Sequence, residues 1–416
     1  MILVLFSASY PYDITTDQTF LKEEIQYMAA TFEKVVLVPR NCKGQRLPVP
    51  GNVLVVDGYC SFLKNPLKYF LVPKILTSNI FYRDLATRPS ILFHPPSLFR
   101  LIAFLAGAYL TETWVTRWIE EQGLRIRDCI FYTYWFDQAA MGIGIAKHTY
   151  PDIKLVSRAH GYDIYEELYF PFYWPCRLQA LSTLDKLFPA SEDGANYFRE
   201  KYPHFAPIVE SAHLGVKDPG FQSNPSMDNV FRIVSCAHIV SLKRMDLLLK
   251  GIALAARLRP EQKFEWVHFG GGIGQKALEK IVQQSISANF KCYITGNVPN
   301  EHIMLHYKEN PVDVFINVSS TEGTPVSIME AISCGMPVIA TSVGGNSEIV
   351  SERNGILLRS NPIPQEIANA IFVLLDNPEM AVNKRRGSRE VWSEQYNADV
   401  NFRLFAERLK SIREDQ

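Results

Sequence analysis

Short apolar segments alternate with amphipathic stretches along the chain. In the first half the apolar segments are those expected of buried parallel strands, namely MILVLF, KVVLVPR, NVLVVD, CIFYTYWF and IKLVSRAHG. Longer stretches with helical spacing, such as Phe20–Ala30, separate them. This alternation predicts an α/β domain built on a parallel sheet.

A second α/β domain follows a segment rich in chain breakers. Residues 217–229 (KDPGFQSNPSMDN) contain few apolar residues, which is typical of a linker. Beyond it, helical stretches separate the predicted strands FRIVSC, FEWVHFG, KCYITG, VDVFINV and PVIAT. We therefore predict domains over residues 1–216 and 230–395, and a terminal helix over 396–416 that packs back toward the first domain. Two such domains in tandem are expected to enclose a ligand site at the carboxyl ends of their strands.

Composition and charge narrow the classes of protein to consider. The 416 residues are 47% hydrophobic and 21% charged, which fits two or three folded domains. Lysine plus arginine (43) balance aspartate plus glutamate (43), so no overall positive field favours nucleic acid. The seven cysteines include no CxxC pair, which argues against a disulfide framework or structural zinc and favours a cytoplasmic protein.

The sequence predicts neither a signal peptide nor a transmembrane helix. The opening MILVLF has no basic leader, so it reads as a buried strand. The longest uninterrupted apolar run, Leu101–Leu110, has ten residues, whereas a bilayer span needs about 20.

The most informative segment, Ser319–Glu330, follows the predicted strand VDVFINV. It reads as a loop leading into a helix, with Thr324 as the expected N-cap and Pro325 at the first helical position. Free backbone N–H groups and the positive end of the helix dipole would then bind phosphate.

Two glutamates flank this expected anion site. Glu322 precedes the helix, and Glu330 lies about 7.5 Å along the helix axis from Pro325. A carboxylate accepts two hydrogen bonds from a vicinal diol, so one glutamate could hold a ribose and the other a sugar. The pattern indicates a nucleotide sugar; the alternative is a capped surface helix with incidental acidic residues.

The spacing of these glutamates resembles the E-x7-E hallmark of the retaining glycosyltransferases of family 4. The resemblance continues through Ala331–Gly335, Pro337–Thr341 and Val343–Gly345 with Glu348, and it covers most of the second domain. It implies the GT-B fold, in which two Rossmann-like doubly wound domains face each other across a cleft. The first domain would lie on the acceptor side, and the second would bind a nucleotide sugar.

The same resemblance assigns roles to residues near the helix start. Glu330 would bind the ribose hydroxyls and Glu322 would contact the donor sugar. The sugar and phosphates would face a run of four residues, namely Gly323, Thr324, Pro325 and Val326.

A second matching segment, Ser235–Arg244, follows the first strand of this domain. Lys243 occupies the family's phosphate-binding lysine position, where it would neutralise the diphosphate and stabilise the charge that develops as the nucleotide leaves. The alternative is a solvated loop lysine. Many family members carry an arginine five or six positions earlier, which this chain lacks. Either His238 or Arg244 could supply the missing donor.

A glycine-rich turn follows the predicted strand FEWVHFG. Gly271 and Gly272 permit close approach of a ligand, but Gln275 breaks the GxGxxG dinucleotide pattern. By resemblance, this turn and the backbone near Val298 contact the donor.

The first domain offers three candidate residues. His160, at the end of the strand IKLVS, matches a family histidine that reaches the donor sugar, and Asp163 would orient it or bind the acceptor. A histidine at such a place is otherwise a structural core residue. Tyr10 belongs to a loop expected near the acceptor, where tyrosines could stack on a sugar.

Residues 61–100 combine six basic side chains with one acid and seven Phe and Tyr residues. The basic residues are Lys64, Lys68, Lys74, Arg83, Arg88 and Arg100. Such a mixture suits an anionic membrane surface, with contact through residues 61–110 at the inner face of the membrane. The alternative is an ordinary basic helix pair packed on the domain.

The resemblance implies a retaining, metal-independent hexosyltransferase. It would transfer a hexose from a UDP- or GDP-sugar to a glycan or lipid-linked saccharide, in surface polysaccharide or glycolipid biosynthesis. No DxD motif occurs, and His302 and His306 lack a third ligand, so no metal and no cofactor besides the donor substrate is expected. The alternatives are a nucleotide-sugar epimerase of the same fold and a non-catalytic nucleotide-sugar-binding partner.

Overall fold

The computed structural model describes residues 1–13, 17–64 and 71–414. The chain forms two compact units: Met1–Leu214 together with Val400–Gln416, and Gly215–Asp399. The predicted linker, residues 217–229, contains no helix or strand and belongs to the second unit. Hydrogen bonds from Ser223 N to Cys334 O and from Val312 N to Asn224 O, at 2.9 and 2.8 Å, attach it there.

The first unit is a six-stranded parallel sheet with helices on both faces. Its strands are β1 Ile2–Ser7, β2 Lys34–Pro39, β3 Val53–Val55, β4 Cys129–Thr133, β5 Lys154–Ala159 and β6 Lys186–Pro189. Its helices are α1 Gln18–Thr31, α2 Gly58–Leu63, α3 Val72–Leu76, α4 Asn79–Thr87, α5 Pro95–Gln122, α6 Gln138–Ala146, α7 Arg177–Leu181 and α8 Glu192–Lys201. The strand order is β3-β2-β1-β4-β5-β6.

Alternate residues of each strand bury opposite faces of this sheet, as the pleat requires. Leu3 and Leu5 of β1 pack in one cluster with α1 and with the terminal helix α16, Ala398–Glu414. Val4 and Phe6 pack in the other cluster with α5 and α6. Because both faces are covered, these strands appear in the sequence as continuous apolar runs.

The second unit repeats the architecture. Its strands are β7 Val230–Cys236, β8 Lys263–Phe269, β9 Phe290–Ile294, β10 Val314–Asn317, β11 Val338–Thr341 and β12 Gly355–Leu358. Its helices are α9 Met245–Leu258, α10 Gln275–Ser285, α11 Asn300–Glu309, α12 Val326–Ser333, α13 Asn346–Ile349, α14 Pro364–Asp376 and α15 Pro378–Val391. The order β12-β11-β10-β7-β8-β9 has the same reversal as the first sheet. The predicted fold class, an α/β chain of two Rossmann-like domains, is confirmed.

The structure differs from the sequence-based predictions at strands β6 and β12 and at the start of helix α12. Strands β6 and β12 were not predicted, because KLFP and GILL are equally compatible with a turn of buried helix. Helix α12 begins at Val326, so Pro325 is its N-cap, with φ −78° and ψ 92°, and not its first residue. Thr324 therefore lies one residue before the N-cap.

Helix α5 is longer than its uninterrupted apolar run. Among the residues that the structure describes, this 28-residue helix is the one long and apolar enough to cross a membrane by length and composition. Half of its most apolar window is buried. Leu101, Leu105 and Val115 of this helix are fully buried. A core helix of a soluble protein passes the same test.

Candidate functional site

The strand order of the second unit reverses between β7 and β10, and the segments that leave these strands meet there. Residues 237–243 follow β7 and residues 318–325 follow β10. Ser320 N donates to Leu242 O at 2.8 Å, which joins the two segments. Ligands bind open α/β sheets at such a switch point, beyond the carboxyl ends of the strands.

This meeting point brings two predicted site residues into direct contact. Lys243 Nζ lies 2.6 Å from Glu322 Oε1. The lysine side chain is 25% exposed and the glutamate 9%. The cation therefore remains partly accessible to a ligand, while its counter-ion is largely buried.

Glu322 is fixed by polar residues at the end of β10. Its Oε1 atom also accepts hydrogen bonds from Ser319 Oγ at 2.6 Å and Asn317 Nδ2 at 3.0 Å. Such donors stabilise a carboxylate in one orientation. Ser319 and Asn317 were not predicted as site residues, although both lie within five residues of Glu322.

Two glycines let a neighbouring loop approach the residues around Glu322. An added Cβ at Gly344 would lie 2.0 Å from Glu322 O, and one at Gly345 would lie 2.1 Å from Gly323 O. Gly345 N donates to Gly323 O at 3.1 Å. The Val343–Gly345 motif thus has a steric cause: only glycine permits this contact.

The start of α12 provides backbone N–H donors close to Lys243 and Glu322. The first helical hydrogen bond runs from Ile328 N to Pro325 O at 3.0 Å. The N–H groups of Val326 and Ser327 precede it and have no carbonyl partner within the helix. Partial positive charge at the helix start favours an anion there.

Glu330 lies further along α12 and contacts a different element. Its Oε1 atom accepts a hydrogen bond from Asn300 Nδ2, at the start of α11, at 2.8 Å. Burial raises the pKa of Glu330 to about 7, and the Asn300 amide opposes the rise. Asn300 was not predicted as a site residue, because a polar residue directly after Pro299 does not by itself indicate a contact with Glu330.

Arg244 has a structural task in this unit. Its guanidinium donates to three carbonyl oxygens, those of Val318, Ser319 and Ser360, at 2.6, 2.6 and 2.9 Å. These bonds hold the segment that follows β10 in place. His238, the other candidate for the missing arginine, is exposed, and its side chain has no hydrogen bond or ion pair within the described ranges.

The glycine-rich turn after β8 is shaped by packing against residues 237–239. Gly270 and Gly272 have φ of 130° and 156°, and an added Cβ at either would lie within 2.6 Å of a carbonyl oxygen of that segment. Gly271 N donates to Asn297 Oδ1 at 2.8 Å. Val298 follows in the same loop and is partly exposed.

His160 of the first unit is a buried, neutral imidazole. It is 8% exposed, and its ring lies 4.6 and 4.8 Å from the rings of Tyr134 and Trp135. Its Nε2 atom is 3.0 Å from Tyr134 O, so this nitrogen carries the proton and Nδ1 is an acceptor. Burial, and secondly the positive charge of Arg158, lower the pKa of His160 to about 3.

Asp163 holds the backbone around this histidine. Its carboxylate accepts hydrogen bonds from the backbone N–H groups of His160, Gly161 and Phe136, at 2.7, 3.3 and 2.8 Å. Burial raises its pKa to about 6. These bonds fix the backbone at His160, and both predicted roles of Asp163 stay predictions.

Tyr10 does not present its ring as predicted. The side chain is 1% exposed and packs in the core with Leu3 and Leu5. Burial raises its pKa to about 12. The hydrophobic gain from burying an aromatic ring explains why this tyrosine lies in the core.

A cavity of about 260 Å³ opens at the carboxyl ends of the first sheet. Its lining residues are Arg40, Arg100, Ala103, Phe104, Trp135, Asp137, Gln138, Tyr162, Asp163, Trp174 and Pro175. Apart from Asp163, none was predicted as a site residue. The aromatic run YTYWFD at the end of β4 was the available signal.

Several of the basic residues between 61 and 100 are engaged within the first unit. Lys74 Nζ lies 3.8 Å from Glu112 Oε2, Arg88 pairs with Glu166, and Arg100 packs over Trp174. Lys64 and Arg83 are exposed, whereas Lys68 lies outside the described residues.

No group of three or more His, Cys, Asp or Glu side chains that could hold a metal ion occurs in residues 1–13, 17–64 and 71–414. His302 and His306 lie on α11, and the His306 ring is 5.1 Å from the Phe269 ring.

Curated relatives share part of this chain. A glycosyltransferase subunit of Streptococcus agalactiae, UDP-N-acetylglucosamine--peptide N-acetylglucosaminyltransferase GtfA, is 27% identical over 50% of this chain and 42% of its own. The putative colanic acid biosynthesis glycosyltransferase WcaL of Escherichia coli is 26% identical over 62% of this chain and 64% of its own. The chain spans 36–60% of the length of the first three such relatives.

Solved structures match the whole chain in fold. Anabaena Alr3699/HepE in complex with UDP and glucose has a TM-score of 0.62 at 16% identity and 99% coverage of both chains. A glycosyltransferase from Rickettsia africae has a TM-score of 0.67 at 14% identity, covering 100% of this chain and 99% of its own. The chain therefore has the GT-B fold, and its residues 217–391 match the family model of glycosyl transferases group 1.

Proposed function

We propose that the protein is a retaining, metal-independent glycosyltransferase of family 4. It transfers a hexose from a UDP- or GDP-sugar to a glycan or lipid-linked saccharide in the cytoplasm, for surface polysaccharide or glycolipid biosynthesis. The observation that carries this proposal is the contact of 2.6 Å between Lys243 and Glu322 beside the free amides of α12. The relative named for colanic acid biosynthesis and the neighbour that binds UDP and glucose support it.

Each predicted site residue has a chemical task in the proposed reaction. Lys243 and the first amides of α12 hold the diphosphate and stabilise the negative charge that grows on it as the glycosidic bond breaks. Glu322 accepts hydrogen bonds from the donor sugar, and Glu330 accepts them from the ribose. His160 bonds a sugar hydroxyl as a neutral imidazole.

The proposal is tested with a panel of UDP- and GDP-sugars. A selective donor should raise the midpoint of thermal unfolding once its concentration exceeds its Kd, and further as the concentration rises. Labelled donor is then incubated with and without glycan acceptors. Label transferred to an acceptor supports the proposal, an epimer formed from donor alone supports the epimerase, and binding without either product supports a non-catalytic partner.

Donor binding is expected to depend on pH through Glu330. Because its pKa is about 7, the ionised fraction falls roughly tenfold between pH 8 and pH 6. A nucleotide sugar that relies on the carboxylate should then bind about 5 to 10 times more weakly at pH 6 than at pH 8. Isothermal titration calorimetry measures this ratio.

Two variants complete that experiment. Glu330→Gln removes the titrating group and should give weak binding that is independent of pH. Glu301→Gln changes an exposed glutamate beside Asn300 and should keep the wild-type pH dependence. Equal affinity of the wild type at both pH values would contradict a role for the ionised Glu330 carboxylate.

We also propose that residues 61–110 contact the inner face of the membrane. Phe93 and Phe99 are 87% and 75% exposed and lie near the start of α5. Inserting aromatic rings into a lipid surface stabilises a bound protein, and exposed Arg83 favours anionic lipid.

Replacing Phe93 and Phe99 together by serine should lower the partition coefficient onto anionic vesicles by about tenfold or more, from the apolar area lost. Sedimentation with vesicles measures it. The matched control is Met227→Ser with Ile273→Ser, which removes side chains 94% and 96% exposed from the second unit. Equal losses in the two double variants would overturn this proposal.

A further inference from the structure

The cavity of the first unit lies at the carboxyl ends of the strands, near the point between β1 and β4 where the strand order reverses. Arg40 directly follows β2, Trp135 and Asp137 follow β4, and Tyr162 follows β5, so the carboxyl ends of three strands supply its floor. Helix α5 supplies one wall. Open α/β sheets bind ligands at this end, which makes the cavity a candidate ligand site of the first unit.

Aromatic rings and an unused donor give this cavity the character of a sugar site. Trp135, Tyr162 and Trp174 line it, and aromatic faces pack against the C–H faces of sugar rings. The indole Nε1 of Trp135 is buried without a hydrogen-bond partner in the described part of the chain. A buried donor of this kind is normally satisfied, and a ligand oxygen would satisfy it.

The charges lining the cavity leave one cation without a counter-ion. Arg40 Nη1 pairs with Asp137 Oδ2 at 2.5 Å. Asp163 is enclosed by the three backbone N–H groups that it accepts. Arg100 has no carboxylate partner among the described residues.

The contacts of Arg100 leave most of its donors free. Nη2 donates to Tyr162 Oη at 3.2 Å and Nη1 to Phe170 O at 3.4 Å, and the guanidinium lies 5.1 Å from the Trp174 ring centre. A guanidinium has five N–H donors, so three remain for a ligand. Held on an aromatic face, this cation suits a carboxylate or a phosphate.

We infer that this cavity binds an acidic sugar residue of the acceptor, with the carboxylate or phosphate on Arg100 and the ring against the tryptophans. The inference rests on the proposed function, because it names the class of acceptor for the proposed transfer. It excludes an acceptor that presents only neutral sugars to this cavity.

The test measures binding of small sugars without any donor. Methyl glucuronide, glucose 1-phosphate and methyl glucoside are titrated into the full chain and followed by ligand-observed NMR. The wild type should bind at least one acidic sugar about ten times more tightly than methyl glucoside, as a charge-assisted pair implies. The stronger of the two acids tells whether a carboxylate or a phosphate is the native group.

Variants of Arg100 test whether its guanidinium causes the preference for acidic sugars. Arg100→Gln should abolish the preference for acids, and Arg100→Lys should keep part of it, since the charge remains without the planar fork. Arg125→Gln changes an exposed arginine of the same unit and should leave the preference unchanged. Thermal unfolding of each variant checks that the unit is folded.

Two results would overturn the inference: a neutral sugar that binds as tightly as both acids, or a preference that persists in Arg100→Gln. If Arg100→Gln fails to fold, the inference is judged from two other results: the preference of the wild type for acidic sugars and the partial preference expected of Arg100→Lys. Nucleotide-sugar stabilisation is a separate readout. If nucleotide sugars stabilise the protein but acidic sugars are not preferred, only the inference about the cavity is wrong. If acidic sugars bind but no nucleotide sugar stabilises the protein, the proposed transfer is wrong.

Discussion

Replacing Lys243 by glutamine should lower the rate of sugar transfer by roughly 10²- to 10³-fold, the usual cost of removing one preorganised donor from a developing negative charge. The ammonium lies at the switch point, 25% exposed, beside the amides of α12. Its charge is needed most when the departing diphosphate gains negative charge. The loss should therefore appear mainly in kcat.

The assay follows transfer of labelled sugar to an acceptor over a range of donor concentrations. Lys250→Gln is the matched control, because Lys250 is an exposed lysine of α9 that pairs with Asp246. Lys243→Arg should keep part of the activity, since it keeps the charge but changes the geometry. A Lys243→Gln enzyme within threefold of the wild type would show that Lys243 is only the ion-pair partner of Glu322.

The sequence predicted the sheets well for a physical reason. Strands buried on both faces are continuous apolar runs, so β1, β2, β4, β5 and β7 could be found without any partner. Strands β6 and β12 could not, because KLFP and GILL are equally compatible with a turn of buried helix.

The candidate site residues Glu322, Glu330 and Lys243 were predicted from the family's motifs, and the topology of the second sheet accounts for two of them. Glu322 and Lys243 stand just beyond β10 and β7, and the reversal of strand order brings them together. Contacts that depend on how separate loops pack could not be predicted. The Arg244 guanidinium holds carbonyls of two loops, and Asn300 reaches Glu330 from another helix.

Tyr10 shows the converse error. The family resemblance places its loop near the acceptor, and so the ring was expected to be available for stacking on a sugar. In the structure the aromatic ring joins the apolar core. A loop residue with a large apolar ring can bury it whenever a neighbouring helix leaves room, and no local pattern reports that room.

Replacing Arg158 by methionine should lower the free energy of unfolding of the first unit by about 3–5 kcal/mol, the cost of leaving a buried charge unpaired. Arg158 and Glu24 are both 0% exposed, with Nη1 and Oε2 3.3 Å apart. Tyr132 Oη donates to Glu24 Oε1 at 3.1 Å. Burial already raises the pKa of Glu24, and Arg158 is the largest influence that opposes the rise.

The loss in free energy of unfolding caused by Arg158→Met should increase with pH. Without Arg158 the folded unit holds a proton on Glu24 that the unfolded chain releases near its ordinary pKa of about 4.3. The folded state then binds more protons than the unfolded state above that pKa, so stability falls as pH rises. Urea denaturation of Arg158→Met should accordingly show a larger loss at pH 8 than at pH 5.

The double variant Glu24→Leu with Arg158→Met separates charge from packing. A buried ion pair replaced by apolar side chains is often neutral or stabilising, so the double variant should regain most of the lost stability. Methionine also keeps a contact with the Phe405 ring, above which the Arg158 guanidinium lies at 4.1 Å. If the double variant is as unstable as Arg158→Met, the loss comes from the shape that arginine fills between β5 and α16. The unpaired carboxylate would then not be its cause.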